Sequence, residues 1–307
     1  MNRRTYITAA TLTAIIAGVP GISGCQALDD AVSHLGPRPN EVLEGLLHTA
    51  DTDAAALASV DPEMSALRDT QANQIADEIF RLCGLDESGQ PPESCAVDRT
   101  PAPGKDGSDV TGLVRDAAAD TLHRGIEAPQ ESRAVLTEQA VELLSRIFDT
   151  DPDTFDGLAS TNAGNSRPIE PVPAEASKST NKYVAPLLKW EDSAIYGLDI
   201  ARAFLPGDMS NHADTLNGLH SQRAEALRES DGITADEELE TPDAYTAAGE
   251  AAELPHDVES AKRFLAAVQN NDDAAWTAAA VTAAEHGDAE WLEWLAHQAA
   301  RGRAAAE

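Results

Sequence analysis

The stretch LLKWEDSAIYGLDIARAFLPG, residues 187–207, predicts an amphipathic helix with a carboxylate on its apolar face. Successive helical residues are rotated by about 100°, so that every third or fourth side chain shares a face. Because an unpaired buried carboxylate is costly, Glu191 should have a partner inside the fold. The apolar stripe in which Glu191 lies consists of Leu187, Ala194, Leu198, Ala201 and Leu205.

The next helix, predicted over residues 209–229, offers that partner. Its apolar face combines leucines with His220 and Arg223. The turn at residues 205–208 makes the two helices antiparallel neighbours, which brings Glu191 to the height of these two side chains. We therefore predict a buried polar pair between Glu191 and Arg223, with His220 beside it.

A metal site at Glu191 and His220, holding iron or manganese, is the alternative interpretation. Di-iron bundles take a Glu from each of two helices and a Glu-x-x-His motif from each of the other two. Ala194 stands three residues after Glu191, where the motif requires histidine. Without a full ligand set we expect no cofactor and assign no catalytic residue. Pairs with related spacing are Glu44 and His48, Asp120 and His123, and Glu293 and His297.

Outward from this helix pair, the chain predicts an all-α protein of two antiparallel helical bundles. Both halves are rich in Ala and Leu, and no alternating strand pattern of useful length occurs. Trp276, Trp291 and Trp294 stand among alanines, which is typical of an interlocking core, and a ligand pocket is the alternative. The predicted helices span 40–59, 63–84, 109–124, 130–148, 186–205, 209–229, 257–284 and 289–304.

Composition divides the chain into segments. Residues 150–184 are predicted to be a linker and include PIEPVP, which favours extended polyproline geometry. The two bundles are weakly similar at residues 46–58 and 187–199, where Ala50 takes the position of Glu191. The segments are a signal peptide (1–24), a lipidated tether (25–39), an N-terminal bundle (40–149), a linker rich in Pro, Ser and Asp (150–184) and a C-terminal bundle (185–307).

The N-terminus MNRRTYITAATLTAIIAGVPGISGC has the basic, apolar and small-residue regions of a secretory signal peptide. Residues 22–25 resemble the lipobox of bacterial lipoproteins, which implies acylation of Cys25, with palmitate as a typical chain. The acyl chains would anchor the protein to the outer face of the cytoplasmic membrane. Residues 2–7 also resemble a twin-arginine export signal, and an ordinary secretory signal with two arginines stays open.

Two further cysteines, Cys83 and Cys95, form an even pair in a chain predicted for an oxidising compartment. We predict a disulfide between them, with free thiols as the alternative. Closing so short a loop should stabilise the fold by about 3 kcal/mol.

The chain is strongly acidic. Its 53 Asp and Glu residues against 22 Lys and Arg give a formal net charge of -31. Nucleic acid is excluded as a partner, because phosphate binding needs clustered cations. Electrostatic adsorption to anionic lipid is disfavoured for the same reason, which leaves the lipid on Cys25 as the membrane contact.

From Leu187 to its C-terminus the chain resembles the actinobacterial ferritin-like domain of unknown function. The residues that carry the resemblance are Glu191, Ala194, Tyr196, His220 and Arg223. The RLCG and PPESC segments resemble the front half of lipoproteins that bear this domain. The resemblance implies a ferritin-like four-helix bundle for the C-terminal half, and it supplies no activity.

These observations predict a lipid-anchored, extracytoplasmic lipoprotein of the cell envelope that serves as a non-catalytic structural or interaction module. Its partner would be another, unidentified envelope protein. One alternative is a ferritin-like metal-binding protein or metal-dependent oxidase. A second is an envelope protein that binds a small ligand near the tryptophans.

Overall fold

A computed structural model of the protein describes residues 36–86, 88–150, 181–229 and 254–306. Within these ranges the chain forms eight α-helices and no strand, which confirms the predicted all-α class. The signal peptide, Cys25 and most of the predicted linker lie outside the described residues. The helices are α1 (Glu41–Leu57), α2 (Pro62–Cys83), α3 (Val110–Gly125), α4 (Arg133–Thr150), α5 (Asn181–Arg202), α6 (Gly207–Glu229), α7 (Val258–His286) and α8 (Ala289–Ala306), with short 3-10 helices at Glu93–Cys95 and Gln130–Ser132.

Side-chain caps set several helix ends close to their predicted positions. The Asn40 side chain accepts from two backbone N–H groups at the start of α1, and Asp61 does so once for α2. Asp257 and Ser260 form a reciprocal capping box at the start of α7. The same helix ends at His286 and is capped by Gly287, whose φ of 70° lies in the left-handed region that favours glycine.

Helix α5 begins earlier than its sequence suggests. It starts at Asn181 and contains Pro186 in its interior, whereas the sequence predicts a start at that proline. Tyr183 and Val184, which composition assigns to the linker, are buried in the core. The Tyr183 ring centroid lies 5.6 Å from that of Trp291. Burial of these side chains offsets the backbone hydrogen bond that Pro186 cannot make.

Consecutive helices pack as hairpins, pairing α1 with α2, α3 with α4, α5 with α6, and α7 with α8. Helix α4 also packs against α7 and α8, and α5 packs against α7. The largest apolar cluster therefore runs from Leu57 and Leu144 in the N-terminal half to Trp276 and Leu295 in the C-terminal half. Among the described residues, no helix is both long enough and apolar enough to span a bilayer.

A disulfide and ion pairs attach the loop between α2 and α3 to the N-terminal half of the protein. Cys83 and Cys95 form a disulfide, which confirms the predicted pairing. Beyond the disulfide, Arg99 donates to both carboxylate oxygens of Asp51 on α1, at 2.6 and 3.1 Å. Lys105 pairs with the neighbouring carboxylate of Asp53. The loop thus supplies cations to acidic side chains of the first helix.

Candidate functional site

Three helices of the C-terminal half bring polar side chains to one buried point. Glu191 lies on α5, His220 and Arg223 lie on α6, and Asp272 and Trp276 lie on α7. We call these five residues the Glu191 cluster. Glu191, Arg223 and Trp276 have no measurable exposure, and the other two are buried as well. The stripe that contains Glu191 in the sequence is therefore an inner face of the helix.

Glu191 is held by two direct hydrogen bonds. Its Oε2 lies 2.6 Å from His220 Nδ1, and Trp276 Nε1 donates to Oε1 at 2.6 Å. Arg223 Nη1 is 3.9 Å from Oε1, an ion contact longer than a hydrogen bond. The structure thus brings the three sequence-predicted residues together, and His220 rather than Arg223 is the directly bonded partner of Glu191.

Arg223 is oriented towards Asp272. Its Nη1 donates to both carboxylate oxygens of Asp272, at 2.9 and 2.7 Å, and its Nη2 donates to the backbone carbonyl of Gln298. The guanidinium also lies over the Trp276 ring, 4.8 Å from the centroid. Trp190 Nε1 donates to Asp272 at 3.2 Å. The arginine is thereby placed between two carboxylates, with one close contact and one longer contact.

The buried charges shift the ionisation of their neighbours. Burial by itself would lower the pKa of His220, but the Glu191 and Asp272 carboxylates together outweigh it and the pKa is raised. Burial likewise opposes ionisation of Asp272, yet Arg223 and His220 hold its pKa below the ordinary value. Each of these shifts favours the charged form. The cluster therefore favours an imidazolium whose Nδ1 donates to Glu191.

A glycine on α8 makes room for the cluster. A β-carbon built on Gly302 would overlap the Asp272 carboxylate and lie 3.0 Å from Arg223 Nη2. The backbone of α8 therefore approaches the ion pair more closely than any residue with a side chain would allow.

The sequence did not identify Asp272 as a site residue, and it predicted Trp276 as part of the core or of a ligand pocket, not as a hydrogen-bond donor to Glu191. A periodic signal for both was present, because Val268, Asp272, Trp276 and Ala280 recur at intervals of four residues on one face of α7. Asp272 stands in the polar run QNNDD, which is typical of a solvated surface. The helical period nevertheless distinguishes the two aspartates, because Asp272 shares a face with apolar residues and is buried, whereas its neighbour Asp273 is partly exposed.

The other sequence candidates are distributed over the molecule. His48 is exposed on α1, and Asp120 pairs with Arg124 at 3.3 Å. Within the described ranges, Glu191, His220 and Asp272 are the one group of three metal-ligating side chains whose ligand atoms all lie within 4.8 Å of one another.

The three tryptophans of the last two helices pack against one another. The Trp276 and Trp291 rings lie 5.5 and 5.7 Å from that of Trp294, and all three side chains are buried. This arrangement is that of an aromatic core.

The Glu191 cluster does not fit a divalent cation as it is arranged. Its carboxylates already accept hydrogen bonds from Trp276, His220 and Arg223. A metal ion between Glu191 and Asp272 would face the guanidinium of Arg223 at short range, where like charges repel strongly. The group is instead a charge-compensated hydrogen-bond network.

Comparison of the chain with protein-family models, with curated protein sequences and with solved structures gives no significant match. The resemblance to the actinobacterial ferritin-like domain therefore stays a prediction.

Proposed function

We propose that this protein is a lipid-anchored lipoprotein of the cell envelope, and that its helical body is a non-catalytic structural or interaction module for another envelope protein. The N-terminal signal pattern that ends at Cys25 supports the anchor. The disulfide between Cys83 and Cys95 supports an oxidising compartment. The net charge of -31 supports a surface that repels anionic lipid, so that the acyl chains hold the protein while its body stays in solution.

One observation carries the non-catalytic part of the proposal: every carboxylate oxygen of the Glu191 cluster accepts a hydrogen bond from the protein. Trp276 and His220 donate to the two oxygens of Glu191, and Arg223 donates to both oxygens of Asp272. A general base must reach a substrate proton, and these carboxylates are closed off from solvent. Their role is to hold α5, α6 and α7 in one register.

Metal analysis tests this role. The mature protein is purified from the membrane fraction of the cells that naturally produce it. Its iron and manganese content per chain is then compared with that of a Glu191→Gln variant. A matched control is Glu225→Gln, which changes an exposed glutamate on α6. We expect metal far below one ion per chain in all three proteins. Near-stoichiometric iron or manganese that is lost only in a folded Glu191→Gln protein would establish the metal-binding alternative instead.

Cell fractionation tests the anchor. The wild-type protein should partition with membranes and carry an acyl mass on its first mature residue, because several acyl chains give a stable hold on a bilayer. A Cys25→Ala protein should lose that mass. If the Cys25→Ala protein were processed and still held by the membrane, the lipid anchor would be refuted.

A further inference from the structure

A cavity of about 370 Å³ lies between the two halves of the molecule. It is lined by α3, α4, α8 and the residue that follows α3. Its apolar wall includes Leu122, Leu144 and Leu292. A cavity of this size falls within the range of small-molecule sites, which spans about 300–1,000 Å³. None of its lining residues belongs to the Glu191 cluster.

Arg115, a half-buried residue on α3, lines this cavity. Its Nη2 atom is buried and has no hydrogen-bond partner, and Arg115 forms no ion pair with any residue the structure describes. A buried guanidinium N–H that bonds to nothing is costly. An acceptor that carries negative charge would satisfy both the hydrogen-bonding and the charge of this side chain.

The remaining polar residues of the lining are His123, Glu293 and His297. Burial lowers the pKa of His297 to about 4, so that its imidazole is uncharged at neutral pH. His123 and Glu293 are exposed and mark the side that faces solvent. The ligand atoms of these three side chains do not all lie within 4.8 Å of one another, which argues against a preformed metal site.

We propose that this cavity binds a small amphipathic carboxylate, with its apolar body against the leucines and its carboxylate on Arg115. Apolar walls with one oriented charged group are the usual design of a site for such a ligand. The site differs from the ligand pocket that the sequence suggests at the tryptophans. Leu292 and Glu293 line the cavity, whereas the neighbouring indoles of Trp291 and Trp294 do not. The proposal is independent of the Glu191 cluster and of the lipid anchor.

Calorimetric titration with hexanoate and with 1-hexanol tests the proposal. The full-length mature protein is held in lipid nanodiscs, and empty nanodiscs serve as the blank. We expect saturable hexanoate binding that weakens by about tenfold or more in Arg115→Met, because a hydrogen bond to a charged group is lost. Binding of 1-hexanol, which has no carboxylate, should be equal in the two proteins.

Two further variants locate the ligand. Ala119 is an exposed residue of the lining, so Ala119→Phe should fold normally and weaken both hexanoate and hexanol by occupying the cavity. Glu293→Gln should strengthen hexanoate alone, since it removes a like charge. Absence of hexanoate binding, unchanged hexanoate affinity in Arg115→Met, or unchanged binding of both probes in Ala119→Phe would each overturn the site.

Discussion

The two halves of the molecule each bury ionised side chains, and they compensate these charges differently. In the N-terminal half, Asp53 on α1 receives a hydrogen bond from Arg68 at 3.0 Å and pairs with Lys105, while Arg68 also donates to Gln71 at 2.5 Å. We call these four residues the Asp53 network. It sets one carboxylate against two cations. The Glu191 cluster instead shares Arg223 and His220 between two carboxylates.

The two sites also differ in how they are enclosed. Lys105 comes from the loop between α2 and α3 and is 37% exposed, so the Asp53 network extends to the surface. The Glu191 cluster is built from helices alone and is closed to water. At the position that aligns with Glu191, the N-terminal half has Ala50, which is buried in an apolar core. The two helix hairpins α1–α2 and α5–α6 therefore place their buried charges at different positions.

The largest expected effect is that of Arg223→Met. This change leaves Asp272 buried without its cation, and loss of one partner of a buried ion pair costs about 3–5 kcal/mol. Urea unfolding followed by far-UV circular dichroism measures the difference. Arg202→Met is the matched control, because the pair between Arg202 and Asp214 is about half exposed, and it should hardly move the midpoint.

Arg68→Met makes the corresponding change in the Asp53 network. Lys105 remains beside Asp53, and its exposed side chain admits water, so we expect a smaller loss of about 2 kcal/mol. Equal losses for Arg68→Met and Arg223→Met would show that the enclosure of the two sites has no energetic consequence.

Removal of the disulfide tests how far the Asp53 network depends on its loop. A protein with both Cys83→Ser and Cys95→Ser should lose about 3 kcal/mol, because the unfolded chain regains the entropy of an open loop. Lys105→Met should then cost less than it does in the wild-type background, since the loop no longer holds Lys105 in place. Strict additivity of the two changes in urea unfolding would contradict this coupling.

The helices were predictable because they depend on local signals. Caps such as Asn40 and Asp257 and the apolar period of 3.6 residues act over a few positions, and they locate all eight helices of the described ranges. The early start of α5 was not predictable, because it depends on packing of Tyr183 against Trp291, a residue far along the chain.

The candidate site was predictable in part. The turn between α5 and α6 relates Glu191 to His220 and Arg223 by simple counting, and the structure places these residues together. Asp272 lies beyond a long intervening segment, so that no turn relates it to α6. Arg223 Nη1 donates to both carboxylate oxygens of Asp272, which lies on α7. The hydrogen-bond partner of Arg223 could therefore not be predicted from helices α5 and α6 alone.

Substitution of two helical glycines by alanine distinguishes the effect of close packing at the Glu191 cluster from the effect of helix propensity. Gly302→Ala should destabilise the protein by about 1–3 kcal/mol, because the new methyl group overlaps the Asp272 carboxylate. Gly218→Ala on α6 meets nothing within 4 Å and should stabilise it by about 0.5–1 kcal/mol through propensity. Thermal unfolding measures both, and a stabilised Gly302→Ala protein would contradict the close approach of α8.

The smallest expected effect is a pH dependence that only the Glu191 cluster should show. Because the pKa of His220 is raised in the folded protein, its contribution is fully present below the unfolded value of about 6.5 and is lost as pH rises through the folded value. The pKa of Asp272 is lowered in the folded protein, so that its contribution to stability is lost only as the pH falls into the acid range. Wild type should therefore lose stability relative to His220→Gln as the pH is raised from about 6 to about 9.

Urea unfolding at the two pH values measures this difference, and His297 is common to both proteins and cancels. Arg68→Met provides the comparison with the Asp53 network, which contains no histidine among its four residues, so its difference from wild type should stay constant over the same range. A difference between wild type and His220→Gln that is flat or that grows with pH would mean that His220 is neutral in the cluster. The carboxylate of Glu191 would then lack its nearest cation, and the charge compensation that distinguishes this site from the Asp53 network would rest on Arg223 alone.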